Sequence, residues 1–203
     1  MADRRAVVRS SLLLVVALLI GGTTLACAQS EHRRPRLIVE DSVAADFEAL
    51  AEETWGQFLE AFQTRADCFG DVRLRAAYTL HSRAAYDPAR AVVTVRVPGT
   101  PAMLQSALVH EWAHHVEFQC AAHQALRPAF LTAQGLPPDT PWRPGGEGDE
   151  LSSDAWADAP SEQYAEAVVV YVLGERPIPT KARVRREAVS VIRAWATAED
   201  MGR

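Results

Sequence analysis

No apolar run in the 203 residues is long enough to cross a membrane comfortably; the longest, residues 12–20, covers about half of the ~20 residues that a spanning helix needs. Basic charge is also in short supply. The formal net charge is −5, and because residues 1–28 hold three Arg and one Asp, the remainder carries −7. That balance argues against a nucleic-acid partner. Internal repeats are absent, and the roughly 175 residues beyond position 28 suffice to bury one core but leave no room for a second catalytic module. Cysteine is scarce as well: of three, only Cys68 and Cys120 lie beyond the N-terminal apolar stretch. An even pair in an oxidising compartment is expected to form a disulfide, which would tie the end of a central helix to the segment after the first helix. Cys120 as a metal ligand is the rival reading.

The first residues point to export. Arg4, Arg5 and Arg9 precede residues 12–20, and small residues follow, the pattern of a secretory signal with a cleavage site at Ala26-Cys27-Ala28 and a mature chain beginning near Gln29. Thr24-Leu25-Ala26-Cys27 also resembles a bacterial lipobox, in which case Cys27 would be acylated and hold the protein to a membrane. Residues 1–28 are therefore expected to be a signal and residues 29–203 a single secreted or lipid-anchored domain. An uncleaved anchor helix is the remaining alternative.

Residues His110-Glu111-Trp112-Ala113-His114 form the HExxH pattern. On a helix, positions four apart lie one turn above each other, so His110 and His114 point the same way and can share one metal ion, while Glu111 is rotated by about 100°. Zinc suits such a pair, with Glu111 unligated at the rim as a general base for metal-bound water. Thr100 as N-cap and Pro101 at the first helical position supply a helix start. The apolar Leu104, Leu108, Val109, Trp112 and Val116 gather away from the two histidines, so the apolar face is expected to dock on the core and the histidines to face a cleft.

A catalytic zinc needs a third protein ligand and an open position. Downstream, the string from Pro160 to Ala167 opens a second helix, with Asp158 or Ser161 as capping candidates and Gly174 and Pro177 as stop signals. Glu162 and Glu166 share one of its faces. One carboxylate can bind the metal while the other accepts the remaining N–H of a ligating histidine.

Together the two helices resemble the gluzincin metallopeptidases, and the Glu162-to-Ala167 string is similar to the glutamate helix of the lethal-factor-like branch. The resemblance implies a zincin-like fold, peptide or protein substrates, His110, His114 and Glu162 as zinc ligands, Glu111 as general base and Glu166 as the partner of a ligating histidine. Many gluzincins add a Tyr or His near the glutamate helix to stabilise the oxyanion; residues 151–159 hold only Trp156. Candidates elsewhere are His123, Tyr86 and Tyr171.

Elsewhere, residues 37–40 read as a short strand, and Phe47, Leu50, Ala51, Trp55, Phe58, Leu59 and Phe62 as an amphipathic helix. Alternation over residues 72–80 and 93–97 suggests two strands of a hairpin turned at Asp87-Pro88, whose edge could take an extended peptide. Residues 126–159 read as a long loop, its Glu147, Asp149, Glu150, Asp154 and Asp158 forming a solvated acidic stretch rather than a calcium site. Val184, Ala188, Val191, Ile192 and Trp195 mark a C-terminal helix. The expected protein is a small α+β, zincin-like domain: N-terminal helix and short sheet, HExxH helix, glutamate helix, C-terminal helix. An exported zinc metallopeptidase is the expected function; the alternative is a catalytically inactive envelope protein that uses this fold to bind a partner.

Overall fold

A computed structural model describes residues 34–144 and 152–197. The N-terminal stretch assigned to a signal or lipid anchor, with Cys27, lies outside the described residues, as do Glu147, Asp149 and Glu150. Among the described residues no helix is long and apolar enough to cross a membrane.

The fold is mixed α+β. Strand β1 (Leu37–Val39) leads into helix α1 (Ala45–Ala61), a 3-10 turn (Ala66–Cys68) and strands β2 (Val72–Ala77), β3 (Ala84–Asp87) and β4 (Val92–Arg96). Helices α2 (Pro101–Gln119), α3 (His123–Gln134), α4 (Ser153–Asp158), α5 (Pro160–Leu173) and α6 (Arg186–Thr197) follow. The sheet order is β1-β2-β4-β3, parallel except that β3 runs antiparallel to β4 along one edge.

Two expectations change here. The strands over residues 72–80 and 93–97 are not hairpin partners: β2 and β4 lie side by side in parallel, with Leu74 opposite Val93. The antiparallel partner of β4 is β3, whose Ala84-Ala85-Tyr86-Asp87 lacks the β-branched residues that mark a strand in sequence. Pro88 does sit in the turn, between β3 and β4. The second change concerns residues 126–159, which are not a continuous loop. Helix α3 runs through Pro128 and buries Leu126, Phe130 and Leu131; the Pro lies five residues past the first helical position, and apolar docking outweighs its missing N–H. Gly135, at φ +78, ends the helix in the left-handed conformation that glycine adopts without strain.

Helix α2 begins as its cap predicts: the Thr100 hydroxyl accepts from the Met103 amide at 3.3 Å, and Pro101 occupies the first turn. Unlike a surface helix it is enclosed, packed by α1 and the sheet on one side and by α5 on the other. Trp112 lies at the centre of one core, 4.9 Å from Trp55 and 5.6 Å from Phe58 between ring centroids. The histidine face is therefore covered too: His114 is 6% exposed and His110 only partly exposed, because α5 closes over them. Neither Asp158 nor Ser161 caps α5. Ala159 stands at its N-cap without a side-chain bond, Pro160 follows, and the Ser161 amide donates to the Trp142 carbonyl at 3.1 Å. Gly174 does end the helix, at φ +79.

Cys68 and Cys120 form a disulfide, with Cα atoms 4.8 Å apart, that pins the C-terminal end of α2 to the turn after α1. Cys120 is thus no metal ligand. The bridge closes a sequence separation of 52 residues; by chain entropy alone, losing such a loop costs about 4 kcal/mol. Reduction of the folded protein should lower its urea midpoint accordingly, and an unchanged midpoint in reductant would show that the bridge contributes nothing.

Candidate metal centre

His110 and His114 stand one turn apart on α2, and Glu162 reaches them from the first turn of α5. His110 Nε2 lies 3.1 Å from Glu162 Oε2 and 3.3 Å from His114 Nε2, and His114 Nε2 lies 3.4 Å from the same Glu162 oxygen. These three atoms form a nearly equilateral triangle. A tetrahedral ion holding its ligands at 2.0–2.1 Å separates them by about 3.3 Å, so the donor set has a spacing that could hold a metal ion. The group is largely buried, with Glu162 8% exposed.

Electrostatics describe the same closeness. Burial disfavours the His110 cation, but hydrogen bonds to Glu162 and Glu166 outweigh it and raise the imidazole well above its usual range. His114 is also disfavoured as a cation by burial, yet Glu162 and Glu117 lift it to about 9. Glu162, flanked by both imidazoles, is held below the usual carboxylate range despite its burial.

Around the triangle, His110 Nδ1 lies 3.2 Å from Glu166 Oε1. The other Glu166 oxygen is 3.4 Å from both Arg176 Nε and the Thr180 hydroxyl. Glu111 is 7% exposed and is not among the three donors. Burial raises its carboxyl, against the pull of the two histidines. The structure therefore brings His110, Glu111, His114, Glu162 and Glu166 to one place.

Two cavities meet at this point, of about 350 and 320 Å³, sharing Ala84, His110, Glu111 and Trp156 in their walls. The first extends past Arg83 and Ser106 toward Thr180 and Lys181; the second extends past Tyr86 and Phe118 toward Arg143. Trp156 stacks on His110 at 5.9 Å between ring centroids.

The three oxyanion candidates fare differently. Tyr171 donates to the Ala61 carbonyl at 2.6 Å and lines neither cavity. His123 is fully buried among Trp142, Tyr164 and Trp195, where burial lowers it to about 3. Tyr86 does line the cleft, but its hydroxyl lies 2.9 Å from His115 Nδ1 while it accepts from Gln119 Nε2 at 3.0 Å. Of the acidic residues considered for calcium, Asp154 pairs with Lys181 at 2.9 Å.

Two residues escaped the sequence reading. Glu117 Oε2 lies 2.9 Å from His114 Nδ1, and Arg143 binds both Glu117 oxygens, Nε to Oε1 at 2.8 Å and Nη2 to Oε2 at 2.7 Å. Although burial opposes ionisation, His114 and Arg143 hold the Glu117 carboxyl at about 2. For Glu117 a signal existed, since it follows His114 by three residues on the same helix. Arg143 had none, because it lies in an irregular segment between α3 and α4. Comparison with protein-family models, curated proteins and solved structures finds no match to this chain.

Proposed function

We propose that this protein is an exported, zinc-dependent peptide hydrolase with a zincin-like site. The observation that carries the reading is the triangle of His110, His114 and Glu162 donor atoms, set at tetrahedral spacing beside a buried glutamate in an open cleft. Among the described residues three protein groups rather than four meet here; three ligands would leave a coordination position open, which is the arrangement of a catalytic rather than a structural site. Held by His110, His114 and Glu162, a zinc ion would supply Lewis acidity toward water and the scissile carbonyl.

Glu111 receives the proton of the attacking water and returns it to the leaving amine. Glu111 is buried beside the donor triangle without contributing to it, so its carboxylate stays available as a positioned base. Glu166 accepts a hydrogen bond from the Nδ1–H of His110, leaving Nε2 free to ligate. The substrate backbone lies along β3. In the β3–β4 pair, Arg96 donates to the Arg83 carbonyl, so by alternation the backbone groups of Ala84 and Tyr86 turn to the free edge, both within the cleft wall. An extended peptide can add there as a further strand. The disulfide is consistent with an extracytoplasmic location.

One observation favours a partner-binding protein without activity: the cleft's phenol, Tyr86, is engaged with His115 and Gln119 rather than presented to the site. The purified protein is expected to carry one zinc per chain and to cleave members of a broad peptide library, with cleavage lost on chelation and restored by zinc. Absence of bound metal after zinc addition overturns the reading of the site. Bound zinc with no cleavage across the library favours the partner-binding reading.

A further inference from the structure

Each histidine of the triangle meets a second acidic residue through its Nδ1. For His110 that residue is Glu166; for His114 it is Glu117, at 2.9 Å. Arg143 Nη2 also lies 3.0 Å from His114 Nδ1, so two hydrogen-bond assignments compete. A guanidinium has only donors. If Arg143 donated to Nδ1, the neutral ring would carry its proton on Nε2, facing His110 and Glu162, and would have no lone pair for a metal. If Nδ1–H donates to Glu117 Oε2, Nε2 keeps its lone pair, and Arg143 donates to both oxygens of the same carboxylate, sharing Oε2 with His114.

Glu117 is placed for that second arrangement. It is 4% exposed, and besides His114 its oxygens accept from Arg143 Nε, Arg143 Nη2 and, at 2.9 Å, Trp142 Nε1, with Arg127 3.9 Å away. Trp142 and Arg143 lie on the segment that also satisfies the start of α5 through the Trp142 carbonyl. Arg143 is further seated over the Phe118 ring, 4.7 Å from its centroid.

The geometry points to Glu117 as the positioning residue of His114: it accepts the Nδ1–H hydrogen bond, orients the ring so that Nε2 faces Glu162 and His110, and is itself held by Trp142 and Arg143. This rests on the metal-binding reading of the site. Its consequence is that Trp142, which touches none of the three proposed ligands by hydrogen bond, tunes metal affinity from the segment between α3 and α4. Carboxylates in this position typically contribute ~10 to 100-fold to affinity.

The test is metal competition against a chromophoric chelator, on protein loaded with zinc and, for its visible spectrum, with cobalt(II). Glu117→Gln is expected to bind ~10 to 100-fold more weakly and to shift the cobalt spectrum, since a reoriented imidazole changes the ligand field, while far-UV circular dichroism stays unchanged. A folded Glu117→Gln protein with wild-type affinity and spectrum overturns the role. Should that variant not fold, Trp142→Phe keeps the carboxylate and an aromatic ring but removes one donor; weaker zinc binding is expected, and wild-type affinity overturns the role. If the wild type binds zinc but cleaves no peptide, the hydrolase reading falls while the role of Glu117 stands or falls on these affinities. If the wild type takes up neither metal, both fall.

Discussion

Glu111→Gln is expected to keep its metal and lose peptide hydrolysis by ~10² to 10⁴-fold, the range that a positioned general base contributes. The amide fills the same volume in a site where Glu111 is 7% exposed, so the substitution tests proton transfer rather than packing. Glu111 contributes no atom to the donor triangle, and zinc content should stay at one per chain. Burial raises the Glu111 carboxyl from its usual value, opposed by the charges of His110 and His114. An acid limb is expected in the rate profile of the wild type, with activity falling as pH drops and the base becomes protonated. Equal cleavage by variant and wild type would remove Glu111 from the mechanism.

The two carboxylates of α5 should separate in kind. Glu162→Ala is expected to be isolated largely metal-free, because Glu162 Oε2 lies 3.1 and 3.4 Å from the two Nε2 atoms and completes the triangle. Glu166→Ala should still bind zinc, with affinity or turnover reduced ~10 to 100-fold. Glu166 touches His110 at Nδ1 only, the nitrogen facing away from the centre, and is anchored by Arg176 and Thr180. A zinc titration of both variants decides the matter. The reverse order would transfer the ligand role to Glu166, and wild-type affinity in both would place the third ligand elsewhere.

Much of the scaffold was legible where it depends on neighbours in sequence. Thr100 and Pro101 start α2 and Gly174 stops α5, because capping is settled within one turn of chain. The Cys68–Cys120 pairing followed from there being one even pair beyond the N-terminal stretch. Legibility failed where a distant element supplied the energy. Strand β3 has weak intrinsic preference and exists as the antiparallel partner of β4. Helix α3 tolerates Pro128 because Leu126, Phe130 and Leu131 are buried. The capping candidates Asp158 and Ser161 make no cap; the Ser161 amide donates instead to the Trp142 carbonyl, from a segment without regular structure.

By itself the sequence determined that His110 and His114 share a helix face with Glu111 offset from them, and that Glu162 and Glu166 share another. Backbone hydrogen bonding imposes that periodicity whatever the helix docks against. Only the tertiary structure decided which carboxylate stands between the two Nε2 atoms, that His114 has Glu117 at its other nitrogen, and that Trp142 and Arg143 hold that glutamate. The contact between α2 and α5 joins positions 52 residues apart, from His110 to Glu162. Which side chains meet across it depends on how the summed burial of Trp112, Tyr164, Val168 and the rest of the core seats one helix on the other, and no local pattern records that sum.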